Sequence, residues 1–131
     1  MIKFFSNSKI FFFFLNFLLI FLYLFPGSLI GWIIYGDRTL QPQISPNFII
    51  SINHFIAFTL LSILSFLSFI KHHQIKILSI YLIFLSLILE IFHLIIPERS
   101  FQWSDLFGNL LGVVIVIFIK NLINKYGVFK K

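Results

Sequence analysis

Glu90 and His93 stand three residues apart in an apolar run, Ile77 to Ile96, that carries no other charged side chain. At that spacing a carboxylate and an imidazole share one helix face, and they are group types used in general acid–base catalysis. Arg99 follows in the next connection, a residue type that matches phosphate or carboxylate with paired hydrogen bonds. Asp105 and Asn109, four apart, share a second face. His54 lies in an earlier apolar run with Asn53 and no Asp, Glu, Lys or Arg. An ionisable group inside an apolar span costs about 2.5 to 3.5 kcal/mol on insertion scales and marks function by default. Glu90 is the only acid well inside a span, so it should face the interior and either pair with a cation, Arg99 first, or stay protonated.

Four apolar runs must position these groups: about 10–25, 48–70, 77–96 and 105–123. Each approaches the roughly 20 residues that a membrane-spanning helix needs. Pro26-Gly27 stops the first and Pro97 the third, and Ser104 with Asp105 reads as the cap and first-turn acid of the fourth. Lys3 and Lys9 before the first run also fit a signal peptide. Pro26-Gly27-Ser28 lacks a small-x-small cleavage site, so a retained helix is expected. Lys3, Lys9, Lys71, Lys76, Lys120, Lys125, Lys130 and Lys131 fall on one side of this topology, Arg38 and Arg99 on the other. The positive-inside rule then puts both termini in the cytoplasm. His54 sits about 9 Å, Glu90 about 10 Å and Asn109 about 7 Å from the outer ends of their helices, at 1.5 Å per residue. The expected fold is all-α, an integral membrane four-helix bundle with one polar, outward-opening pocket built by His54, Glu90, His93, Arg99, Asp105 and Asn109.

The composition excludes most other classes. Sixty per cent of the 131 residues are hydrophobic and 11% charged, against about a quarter charged in soluble domains. So small a chain cannot hide that much apolar surface in its own core. With no cysteine, a disulfide framework, a thiolate metal site and a cysteine nucleophile are excluded. The net charge of +6 sits beside apolar runs and carries no nucleic-acid signature. Twenty phenylalanines make any single Phe uninformative, so the rare polar types carry the signal.

Glu90-Ile-Phe-His93, Ile96-Pro97-Glu98-Arg99 and Asp105-Leu-Phe-Gly-Asn109-Leu-Leu-Gly112 together resemble the signature of VanZ-like membrane proteins. The stretch Asn53-His54-Phe55-Ile56-Ala57-Phe58 is similar to that family's Lys-x-x-His-Phe-x-x-Tyr segment. The resemblance runs over roughly residues 26 to 119. His93 stands where the family usually has Gln, and no lysine precedes His54 at the usual spacing. The founding member is associated with resistance to the glycopeptide teicoplanin. The resemblance therefore implies a bacterial cytoplasmic membrane protein of envelope physiology, and it does not name a reaction.

The leading expectation is non-catalytic binding of a lipid head group or lipid-linked cell-envelope precursor. One alternative is an enzyme that modifies such a substrate, with Glu90 and His93 transferring protons. Another is a small subunit of a larger membrane complex, docking through Gly108 and Gly112, whose spacing lets a second helix approach closely. Packing within the bundle explains those glycines equally well. It also accounts for the Ser62, Ser65 and Ser68 stripe. Partners are membrane lipids, with no nucleic acid and no cofactor. His54, Glu90, His93 and Asp105 are acceptable zinc ligand types. Only one pair shares a helix, so no metal is expected.

Overall fold

The computed structural model describes residues 2–45 and 49–126, with side chains from Ser8 onward. Phe48, Lys130, Lys131 and the side chain of Lys3 lie outside the described residues. Five helices and no strand occur among the described residues: α1 (Ile2–Leu24), α2 (Leu29–Tyr35), α3 (Ile52–Ser68), α4 (His72–Phe92) and α5 (Trp103–Tyr126). Both α4 and α5 are long and apolar enough to cross a membrane. α1 and α2, bent by 77° at their junction, make a third candidate only if they count as one span. At 17 residues α3 is shorter.

The short helix α2 is absent from the sequence reading and is capped at both ends. Ser28 Oγ accepts the Gly31 amide at 2.9 Å, and Gly36 closes the helix in the left-handed region at φ 70°. The bend before it depends on Gly27, whose φ of +68° L side chains rarely adopt and whose N–H donates to the Pro97 carbonyl.

Other boundaries also differ from the apolar runs. The third run was expected to reach Ile96, but α4 stops at Phe92. Pro97 has no N–H for the His93 carbonyl and disfavours helix at Ile96. The chain therefore tightens through i→i−3 bonds at His93, Leu94 and Ile95. At its other end α4 begins earlier, taking the exposed His72 and His73 into its first turn rather than leaving them in a loop. α5 starts at Trp103, so Ser104 is inside the helix and is not its cap. The Gln102 carbonyl instead accepts the amides of Asp105 and Leu106.

Helical periodicity explains which faces meet. On α4, Leu82, Leu85, Ser86, Leu89 and Glu90 are buried, at spacings of three and four. Phe84 and Ile80, on the other side, are exposed. α5 lies closest to α3, and its glycines are the reason. A methyl on Gly108 would come within 2.6 Å of the Ser51 carbonyl, and one on Gly112 within 2.7 Å of the Phe55 carbonyl. Both glycines thus serve packing inside the bundle. Ser62, Ser65 and Ser68 are buried as well, their hydroxyls donating to the carbonyls of Phe58, Ser62 and Ser8. The apolar core joins Phe12, Leu19, Tyr23, Phe58, Leu61, Leu82, Leu85, Leu89 and Val113.

After α2, residues 36–45 run back to the start of α3. Asp37 accepts the Thr39 hydroxyl at 2.7 Å and amide at 2.8 Å, which together hold its pKa below the ordinary aspartate value. Asn53 clamps the segment with two bonds, Nδ2 to the Pro42 carbonyl at 2.6 Å and Oδ1 from the Ile44 amide at 3.0 Å. The basic residues separate by end. Arg38 and Arg99 lie by the α1–α2 turn, where the Arg38 carbonyl takes the Ser28 amide and Arg99 reaches Leu22 and Phe25. Lys9 lies over the Phe69 ring at the opposite end, beside Lys71 in the α3–α4 connection.

Candidate functional site

Helices α1, α3, α4 and α5 each send a polar side chain into one buried cluster at the α1–α2 end. Tyr23 is its hub. Its hydroxyl donates to Asn109 Oδ1 at 2.7 Å and lies 2.9 Å from His54 Nδ1. The hydroxyl has a single proton and spends it on Asn109, an oxygen that only accepts. His54 Nδ1 must then be the donor to Tyr23, so Nε2 is a lone pair when the ring is neutral and a second donor when it is protonated. That atom lies 3.5 Å from Asp105 Oδ2, with the Gln41 amide nitrogen also at 3.5 Å. Asn109 is held from its other side, Nδ2 donating to the Ser86 carbonyl at 3.4 Å.

Glu90 is wholly buried. Its Oε1 lies 3.3 Å from His93 Nδ1 and accepts the Gln102 amide at 3.0 Å, so an acid of α4 anchors the residue just before α5. Oε2 is buried with no hydrogen-bond partner among the described residues. The ring of His93 stacks on that of Tyr23, centroids 5.6 Å apart, and its Nε2 donates to the Tyr23 carbonyl at 3.2 Å.

The five residues His54, Glu90, His93, Asp105 and Asn109, expected on sequence grounds to converge, do so. Arg99 is close by but has a different partner from the one expected. It does not pair with Glu90. Its Nε and Nη2 donate to the Phe25 and Leu22 carbonyls, which the end of α1 leaves without helical amides. The turn before it explains the aim. Arg99 N–H bonds the Ile96 carbonyl, Pro97 holds the second position, and Glu98 the third at φ 61°. This is the pattern of a type II turn, with Glu where Gly is favoured. Arg38, the other basic residue assigned to this side, pairs with Glu98 at 3.5 Å on the surface.

Two cavities flank the cluster. One of about 160 Å³ is lined by Tyr23, Gln41, Asn53, His54, His93 and Arg99 among others. A second, of about 190 Å³, reaches Asp105 past Ser51, Gln102 and Ser104, with Asn53 in the wall of both. Chemically, the first offers a guanidinium and two imidazoles to an anion, and the Glu90–His93 contact offers a proton path behind it. The donor atoms of His54, Glu90 and Asp105 converge within 4.8 Å of one another, closer than their spacing on three separate helices led us to expect. Sequence reasoning missed Tyr23, Gln41, Ser86 and Gln102. The usable signal was Tyr23, the one hydroxyl-bearing aromatic near the Pro26-Gly27 stop, at the same end as the other polar residues. No protein-family model, curated protein or solved structure matches the chain.

Proposed function

We propose that this chain is a VanZ-like protein of the bacterial cytoplasmic membrane, crossing it four times with both ends inside. On this reading it binds a phosphorylated lipid head group or envelope precursor at the outer leaflet without transforming it. The observation that carries the reading is the cavity lined by His54, His93 and Arg99, at the end of the bundle away from Lys9 and Lys71. Nη1 of Arg99 has no protein acceptor among the described residues, which leaves it for an anionic oxygen. The inverted surface supports membrane embedding: serines, Asn109 and Glu90 inside, and Phe13, Phe17, Phe84 and Phe118 outside. α3, the short helix, completes the fourth crossing because 17 residues reach the lower bound for a span. The lysine-poor end then faces outward by the positive-inside rule.

The 3.3 Å contact between Glu90 and His93 favours a second reading, in which the pair moves a proton on the bound lipid. Gly108 and Gly112 are covered by α3, so the accessory-subunit reading keeps no helix-docking feature.

Native mass spectrometry of the full chain in mild detergent tests the binding reading. A co-purifying phosphorylated lipid is expected, and Arg99→Gln should release it while the protein stays folded. A wild-type protein without lipid, or a folded variant retaining as much, overturns it. Glu90→Gln separates the two readings: retained lipid fits binding, and turnover lost with lipid retained fits the enzyme. Topology is open to the same scrutiny, since the chain has no native cysteine. Arg38→Cys should react with an impermeant maleimide in intact cells and His73→Cys only after permeabilisation; the reverse pattern overturns the orientation.

A further inference from the structure

Glu90 and Asp105 are two buried acids, and among the described residues neither has a Lys or Arg nitrogen within ion-pair distance. Arg38 is committed to Glu98, and Arg99 to two backbone carbonyls. Carboxylates taken out of water without compensating charge are costly, and buried charges are normally paired or bound to metal. Of the groups that can carry positive charge, only the rings of His54 and His93 lie within ion-pair distance of these acids among the described residues.

His93 Nε2 donates to the Tyr23 carbonyl, so its Nδ1 and Glu90 Oε1, 3.3 Å apart, must share a proton. His54 has no backbone partner among the described residues. The chain Nδ1–H to Tyr23 to Asn109 fixes the tautomer of the neutral ring, whose Nε2 lone pair then faces Asp105 Oδ2 at 3.5 Å. Two acceptors facing each other need either a proton or a metal cation between them. A ring nitrogen oriented by a hydrogen bond from its other nitrogen is also how metal-bound histidines are held. Independently, Glu90 Oε2 is buried without a partner, while its twin is pinned by the Gln102 amide. One donor atom from each of His54, Glu90 and Asp105 lies within 4.8 Å of the others.

We propose that His54, Glu90 and Asp105 form a binding site for one divalent transition-metal cation, with Nε2 and one carboxylate oxygen from each acid as ligands. Two carboxylates balance its charge. One imidazole with two carboxylates suits Zn²⁺ or Mn²⁺, whereas Mg²⁺ and Ca²⁺ favour all-oxygen surroundings. Three protein donors leave positions for water or for an oxygen of a ligand. Tyr23 and Asn109 act as positioning residues, holding His54 in the ligating tautomer. The site does not depend on the head-group reading, because the metal alone is the probe.

The test uses the full chain in detergent, stripped with chelator and titrated with Mn²⁺ or Zn²⁺. One cation per chain should bind, thermal stability should rise, and Mg²⁺ should do neither. Pulsed electron paramagnetic resonance of the Mn²⁺ form should show coupling to a single ¹⁴N nucleus, a readout that needs no variant. His54→Gln and Asp105→Asn should each weaken binding by about 10- to 100-fold or more, the range seen when even the supporting shell of a site is lost. His72 and His73 are an exposed alternative at the start of α4, so the paired His72→Ala, His73→Ala variant should bind as well as wild type. Binding lost in that variant, a spectrum without nitrogen coupling, or no binding by the wild type overturns the proposal in favour of a network held by protons alone.

Discussion

The two ends of the bundle solve the same problem with different physics. At the Lys9 end, Phe12 meets Phe13 and Phe69 edge-on, centroids 5.4 and 5.5 Å apart, and Ser68 donates to a backbone carbonyl. Packing and local bonds hold that end, and almost any well-shaped apolar set would serve. At the Tyr23 end, side chains from four helices bond one another, and the two buried acids have, among the described residues, only imidazoles as possible cations within ion-pair distance. Holding helices in register does not by itself call for two buried acids, one of them with an unpartnered oxygen among the described residues. The costly end is the one to which the proposed binding is assigned.

Four substitutions break or sharpen that contrast. Phe12→Ala, at the packed end, should have the largest effect on stability, about 3 to 5 kcal/mol by analogy with soluble cores. Ligand retention by the folded fraction should not change; equal loss of both would erase the distinction between the ends. Tyr23→Phe removes one oxygen and leaves the His54 Nδ1–H and Asn109 Oδ1 without their partner, which should cost about 1 to 3 kcal/mol. Unlike Phe12→Ala it should also impair cation or lipid binding in protein that remains folded. Glu98→Gly should stabilise, because an L residue held in the left-handed region costs about 1 to 2 kcal/mol. The exposed pair with Arg38 that it removes contributes about 0 to 1 kcal/mol. A lower melting temperature would show that this ion pair matters more than its exposure suggests. The smallest effect belongs to Ser62→Ala. Its hydroxyl bonds a carbonyl of its own helix, and even side-chain bonds between helices in membranes average only about 0.6 kcal/mol. A loss of several times that would mean the serine stripe does more than pack.

Much of the site was legible because rarity made it so. In a chain that is 60% hydrophobic, Glu90, His54 and Asn109 stand out, and helical rise alone put them at one depth. The glycines of α5 were legible as a close-contact face, though not the helix they would meet. The partners were not legible. Arg99 and Glu90 were an obvious pair by charge, yet helix ends also demand donors, and the free carbonyls of α1 took the guanidinium. Tyr23 was hidden among twenty phenylalanines, since its hydroxyl matters only once the fold brings Asn109 and His54 to it. α2 was lost within an outer loop because seven residues give too little periodicity. The ends of α4 and α5 depended on Pro97 and Gln102, whose influence runs through backbone bonds rather than hydropathy.

The bond from the Gln102 amide to Glu90 Oε1 has a consequence for how the protein would report on its own occupancy. That amide lies immediately before α5, so its protection from deuterium exchange is thermodynamically linked to the state of the carboxylate. Whatever steadies Glu90 should slow exchange at Gln102, and whatever draws the acid away should accelerate it. A single backbone proton thus serves as a built-in gauge of the buried acid.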